Sequence, residues 1–351
     1  MGPDAMHIVG IGAATPIGRD WASSCAAQRA GIAGFTAHPF LTDARGEAVR
    51  VAPAPWLSWS LGCEQRLASL LVESIEEALH AFAPRLGDLR VGLTLALPAP
   101  RPGLPTDIVG EVHQTLRARL PRSIELLGTC ALGHAGGCTA FIAAAQALRE
   151  RRVELCVCAG AESWLEPETL SWLEAGDRLH SAGELNNAWG RVPGEAGAAI
   201  VLCQPDALTR WGAPPLARIV ALGVGHEPQI DDSDVCIGVG LTNAFEGALS
   251  ALPADCQIDD LYGDMNGERY RAAEFAFTAL RFSERLRSAS DYVAAADTWG
   301  DVGAASVPLN TACAVMAGLK SYSTGPWALV WASSDGHDRG AALIDRRRLE
   351  A

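Results

Sequence analysis

His7-Ile8-Val9-Gly10-Ile11-Gly12-Ala13-Ala14-Thr15-Pro16-Ile17-Gly18 is a short apolar run that ends in a glycine-rich turn. A run of this kind reads as a buried strand. Two glycines one residue apart invite a nucleotide-binding reading, but the dinucleotide fingerprint needs a third glycine three residues later and an acidic residue about twenty residues further on. Here the next glycine is Gly18, after a proline. The stretch therefore reads as strand plus turn, with no cofactor. Ala217-Arg218-Ile219-Val220-Ala221-Leu222-Gly223-Val224-Gly225 repeats the theme. Between the two lies Asp206–Pro215, which holds two prolines and Gly212 and reads as a join. The chain thus divides into two similar halves, 1–205 and 216–351.

Within each half, strands and helices alternate. Leu67, Leu70, Leu71, Ile75, Leu79 and Phe82 recur on one face of a helix over Arg66–Phe82, and Val91–Leu97 reads as a buried strand. Gly133–Leu148 is rich in Ala and apolar all round, as expected of a helix surrounded by protein. Val153–Ala159 reads as a strand leading to a Gly160–Ser163 turn. A helix over Leu241–Leu252 and strands over Trp327–Ser333 and Ala341–Ile344 complete the pattern. It predicts an α/β protein with mixed sheets between helical layers.

With 351 residues, 49% of them hydrophobic, the chain is long enough for a large core or two domain-sized units. No run of about twenty uninterrupted apolar residues suggests a membrane span. The formal charge of −13 and a single lysine, Lys320, disfavour wholesale nucleic-acid binding. The ten cysteines are scattered, and the N-terminus lacks the pattern of a secretory signal, so free thiols in a reducing cytoplasm are expected.

Several stretches together resemble the β-ketoacyl-acyl-carrier-protein synthases of the thiolase superfamily. They are Thr15-Pro16-Ile17-Gly18 with Trp21 and Arg29-Ala30-Gly31-Ile32, then Cys158-Ala159-Gly160-Ala161-Glu162, Pro193-Gly194-Glu195-Ala196-Gly197-Ala198, and Gly300-Asp301 through Pro308-Leu309. The resemblance spans nearly the whole chain. It implies a thiolase-like αβαβα layered fold of two pseudo-repeated halves with mixed five-stranded sheets, assembled as a homodimer or as a heterodimer with an active synthase. Its implied partner is an acyl carrier protein or acyl thioester, in fatty-acid or polyketide metabolism.

The resemblance also implies a cysteine nucleophile at the N-terminus of the buried helix, where exposed N–H groups and the helix dipole lower a thiol pKa, with two further side chains promoting decarboxylative condensation. Counting back without gaps from Cys158–Glu162, the nucleophile position falls on His134. The second position falls on Asp264, with Tyr262 or Asn266 selected by a shift of two residues, and the last on Asp301. A lysine expected shortly before the last position is replaced by Ala296, and the closing turn is reduced to Asp335-Gly336-His337, which in the family approaches the pocket.

These residues favour a protein that binds an acyl chain or carrier protein without ordinary condensation. The alternative is an acyltransferase of the 3-oxoacyl synthase type, with His134 as a general base oriented by Asp264 and Asp301, or with a displaced thiol at Cys130 or Cys138. One His and two Asp could also form a facial metal triad, but no local ligand spacing supports it. Cys156 and Cys158 alternate on one strand face as core residues. Asn266–Arg271 reads either as a solvated loop and helix start or as a reshaped pocket wall. Arg117, Arg119 and Arg122, Arg149, Arg151 and Arg152, and Arg281, Arg285 and Arg287 are candidate carrier-protein contacts or solvated faces. Arg346–Arg348 reads as a mobile tail.

Overall fold

The computed structural model describes residues 5–180, 187–211, 215–228 and 236–347. Twelve strands are described: β1 (Met6–Ala14), β2 (Thr36–Thr42), β3 (Ala48–Val51), β4 (Val91–Ala96), β5 (Ile124–Cys130), β6 (Leu155–Ser163), β7 (Glu195–Cys203), β8 (Ala217–His226), β9 (Asp260–Gly263), β10 (Tyr292–Ala294), β11 (Trp327–Ser333) and β12 (Asp338–Asp345). The helices are α1 (Trp21–Arg29), α2 (Cys63–Leu79), α3 (Ile108–Arg119), α4 (Gly136–Arg149), α5 (Pro167–Ala175), α6 (Pro205–Trp211), α7 (Val239–Leu249), α8 (Arg269–Arg281), α9 (Ala296–Trp299) and α10 (Ser306–Leu319).

The repeat is one of topology. Strands β1-β7-β6-β4-β5 form one set of five and β8-β12-β11-β9-β10 the other, and the small β2–β3 hairpin stands apart. Counted along the chain, each set runs in the order 1-5-4-2-3, with its first two ladders antiparallel and its last two parallel. The two fives join through a short antiparallel pairing of Met6–Ile8 with Ala217–Ile219. α4 packs on β4 and β6 of one five and reaches β8 and β12 of the other, while α10 packs on β9 and β11 and reaches β6 and β7. With α2 and α3 outside the first five and α7 and α8 outside the second, the layers read helix, sheet, helix, sheet, helix, the thiolase-like arrangement.

The paired glycines now have a physical reason. A Cβ at Gly12 would lie 2.0 Å from the Ser74 carbonyl oxygen of α2, and one at Gly223 would lie 1.9 Å from the Ala244 oxygen of α7. The outer helix of each half presses its backbone onto the first strand, which tolerates no side chain there. Entry into α1 is fixed by Asp20, which accepts from the Ser23 N–H at 2.7 Å, and by Glu77, which accepts from the Trp21 N–H at 3.0 Å.

Three expectations need correction. Gly160–Ser163 is no turn: β6 continues through it, pairing Glu162 with Ala196 and Ser163 with Glu195, and Gly160 is required because a Cβ would lie 2.3 Å from the Ala304 oxygen. α4 is not enclosed all round, since Ile142 is 37% exposed while Phe141 and Ala144 are fully buried; α10 is the helix buried along nearly its whole length. The C-terminal arginines are not a tail as far as they are described. Arg346 is buried and donates to Asp260 and Gly325, and Arg347 pairs with Asp345 at 2.7 Å. Arg348, like residues 212–214 of the join, lies outside the described residues.

Candidate functional site

Each central helix is preceded by a single turn of 3-10 helix, Gly133–Ala135 before α4 and Gly303–Ala305 before α10, and both turns begin on a glycine of positive φ. Such a φ strains any residue with a Cβ. The two helices touch at their first turns, where a Cβ on Gly137 would fall 2.5 Å from Val307 Cβ. This close approach brings His134 of the first turn to Asp301 at the entry of the second.

His134 is buried, and its Nε2 lies 2.8 Å from Asp301 Oδ1. The same oxygen accepts from the Gly303 N–H at 2.9 Å, so Asp301 also caps the second turn. Asp301 Oδ2 accepts from Asn266 Nδ2 at 2.6 Å and forms an ion pair with Arg191 at 3.1 Å. Burial alone would raise the Asp301 carboxyl, but His134 and Arg191 hold it well below the usual carboxylate range.

Asp264 does not touch His134 directly. Arg271 stands between them, with Nη1 donating to Asp264 Oδ2 at 2.6 Å and Nη2 3.4 Å from His134 Nε2. A cation shared by His134, Asp264 and Asp301 would have to displace that guanidinium, so the facial-triad geometry is not formed. Glu227, Cys236 and Glu274 do bring ligand-type atoms within 4.8 Å of one another, but Glu274 already pairs with Arg339 and accepts from Ser333.

The segment Asn266–Arg271 alternates, with Gly267 and Arg269 exposed and three side chains turned inward. Asn266, Glu268 and Arg271 are buried. Glu268 accepts from Arg178 Nε and from Arg191 at 2.7 Å each, and from Asn266 at 3.0 Å. Its carboxyl would rise with burial alone, but Arg191, Arg271 and Arg178 hold it at about 2. Asp335, on the turn between β11 and β12, meets the same three arginines. Four carboxylates (Asp264, Glu268, Asp301, Asp335) thus interleave with three guanidiniums (Arg178, Arg191, Arg271) around His134. Beside them remains a void of about 10 Å³, lined in part by Asp264, Ala296, Trp299 and Asp301, room for about one water molecule.

The two candidate thiols lie against backbone. Cys130 Sγ lies 3.1 Å from the Gly136 carbonyl and 3.3 Å from that of Leu95, and burial pushes it up to about 11. Cys138 is fully buried beneath Gly340, and burial pushes it higher still. The Ala135 N–H at the helix entry donates to Ser334 Oγ at 3.0 Å, so this donor is already engaged. His337 stacks on His226 at 4.7 Å, and its Nδ1 lies 2.6 Å from the Glu227 carbonyl.

Sequence reasoning brought His134, Asp301 and Asp264 to one place and flagged Asn266–Arg271. It missed Arg178 and Arg191, which sit in irregular stretches, and gave Asp335 no role. The glutamates of two of the quoted motifs, Glu195 and Glu162, serve the scaffold. Glu195 accepts from Arg66 Nε at 2.7 Å, from the Ala54 N–H at 2.8 Å and from Ser163 Oγ at 3.0 Å. Glu162 joins Arg101 at 2.7 Å to the Ala304 N–H at 3.3 Å.

No protein-family model matches the chain, and no curated protein matches it by sequence. Solved structures match by fold. A chain of the structure of a type II polyketide synthase acyl-carrier protein in complex with its ketosynthase bound to the hexaketide superposes with a TM-score of 0.81 at 14% identity, covering 99% of this chain and 100% of that one. The ishigamide ketosynthase/chain length factor gives 0.71 at 18%, covering 97% and 99%. A β-ketoacyl synthase from Burkholderia phymatum STM815 gives 0.73 at 17%, covering 98% and 99%. What the chain shares with these proteins is their whole architecture, and its fold is that of a ketosynthase.

Proposed function

We propose that this chain is a ketosynthase-fold subunit that binds an acyl chain or its acyl carrier protein without ordinary decarboxylative condensation, in fatty-acid or polyketide-type metabolism. The observation that carries the reading is the state of His134. At the position where the resemblance expects a thiolate, a buried imidazole is tied to Asp301 at 2.8 Å with Arg271 beside it. Held in this way through Nε2, and with the Ala135 N–H at the helix entry already donating to Ser334, the site presents no thiolate and one donor fewer for a thioester oxygen.

Carrier-protein binding is supported by the neighbour whose ketosynthase is in complex with an acyl-carrier protein. On this chain Arg117, Arg119 and Arg122 are exposed, and Arg117 and Arg122 line a cleft of about 420 Å³ with His113 and Leu116. These are the better docking candidates for an acidic carrier, because Arg281, Arg285 and Arg287 already donate to backbone carbonyls. Pairing with a second subunit, a like copy or an active synthase, is supported by β5, which ends its sheet, and by exposed Ile142 on the adjoining α4.

Incubation with acyl-carrier thioesters followed by intact-mass spectrometry tests this reading. The expected result is no acyl adduct, with the carrier protein co-sedimenting. An adduct that disappears in Cys130→Ala or Cys138→Ala would overturn it. The 2.8 Å His134–Asp301 contact also fits a second reading, an Asp-oriented imidazole acting as general base through Nδ1. Condensation or transacylation lost in His134→Ala would establish that one instead.

A further inference from the structure

Asp335 is the most exposed of the four carboxylates of the cluster. It lies on the turn Ser334–His337, its side chain is 17% exposed, and its Oδ1 alone takes three guanidiniums: Arg191 at 2.7 Å, Arg178 at 2.9 Å and Arg271 at 3.2 Å. The arginines do not depend on Asp335 to stay in place. Arg178 and Arg191 are also held by Glu268, and Arg271 by Glu268, Asp264 and the Ser333 carbonyl. The turn is held too, since Arg339 donates to the carbonyls of Ser334, Gly336 and Asp338. The backbone and the three donors are therefore fixed independently, and the Asp335 side chain is a small anion set among them.

We propose that Arg178, Arg191 and Arg271 form a carboxylate-binding subsite whose resident occupant is the Asp335 side chain, displaceable by the carboxylate of an incoming ligand. Rotation of the Asp335 side chain towards solvent vacates the subsite without moving the sheet. Three converging N–H donors left without an acceptor strongly favour refilling. The ligand is a carboxylate rather than a phosphate dianion, because Asp264, Glu268 and Asp301 remain close by and repel a second negative charge. Tethering gives Asp335 a high effective concentration, so free carboxylates compete poorly in the unaltered protein. The proposal concerns anion binding alone and stands whether or not the protein condenses acyl groups.

The test uses Asp335→Gly in the full chain, with acetate as probe and thermal unfolding as readout. Acetate is expected to raise the unfolding midpoint of the variant saturably, chloride at equal ionic strength to leave it unchanged, and phosphate to act more weakly than acetate. The unaltered protein should show at least a tenfold weaker response, and Arg178→Ala added to the variant should weaken the acetate effect by a similar factor. Equal responses to acetate and chloride, or equal responses of variant and unaltered protein, would overturn the proposal. If the variant does not fold unaided, refolding yield reads the same exchange: recovery in acetate but not chloride supports the subsite, and equal recovery in both rejects it.

Discussion

His134 and Asp301 meet at 2.8 Å, although each belongs to the entry of a different central helix. The contact links the two halves of the fold at their closest approach. Because Asp301 also accepts from the Gly303 N–H and pairs with Arg191 and Asn266, its charge is shared among buried groups.

Asp301→Asn keeps the shape and removes the charge. It takes from Arg191 one of its three carboxylate partners in a buried setting, where breaking one partner of an ion pair costs up to about 3–5 kcal/mol. Urea unfolding at neutral pH should show a loss of that order. A variant as stable as the parent would mean that the pairing contributes nothing net.

Acid should weaken the same cluster. Glu268 is held at about 2 against an ordinary 4.5, so between those values the unfolded chain binds a proton that the native chain refuses, and stability falls as pH falls through that window. A shift of this size corresponds to about 3 kcal/mol, fully present above pH 5. Asp301 and Asp335, also held below the usual range by neighbouring arginines and His134, act in the same direction. Unfolding free energies at pH 5, 4 and 3 should drop steeply for the unaltered protein and less steeply for Glu268→Gln. Parallel slopes would contradict the assignment.

How far the sequence discloses this arrangement follows from what each residue does. The layered fold is legible because its determinants are local: apolar strands, paired glycines where a helix backbone must approach, and glutamates that anchor a helix or turn. His134 and Asp301 are legible because they lie at fixed distances from such markers. Arg178, Arg191 and Asp335 are not, since they lie outside regular helices and strands and meet only in three dimensions. The polar run Asn266–Arg271 looks like a solvated loop until its partners from those distant stretches are known.

His7 gives a separate acid response at the joint between the two sheets. It sits opposite Arg218 in the β1–β8 pairing, and burial, with Arg218 second, lowers it to about 4. Above pH 6.5 neither native nor unfolded chain is protonated there. Between pH 6.5 and 4 only the unfolded chain takes the proton, so stability falls as pH falls, by up to about 3 kcal/mol. His7→Leu should flatten the stability profile between pH 6.5 and 4.5, above the Glu268 window. An unchanged slope there would place the titration elsewhere.

The glycine pairs make the sharpest test of the fold argument. Gly12 and Gly223 do not have the positive φ that only glycine adopts readily, so their requirement is spatial: a methyl group at either would strike a helix carbonyl at 2.0 or 1.9 Å. Overpacking of this kind costs about 1–3 kcal/mol or more, because a backbone cannot swing aside as a side chain does. Gly12→Ala and Gly223→Ala should therefore lose comparable stability, one in each half. Gly87→Ala, where nothing lies within 4 Å of the added methyl, should be neutral or slightly stabilising. A phosphate-cradling role for the first pair predicts a different pattern, with Gly12→Ala folded and stable but deficient in nucleotide binding, and Gly223→Ala unrelated to it. Matched losses in chemical denaturation assign both pairs to helix packing, and a fully stable Gly12→Ala would refute that assignment.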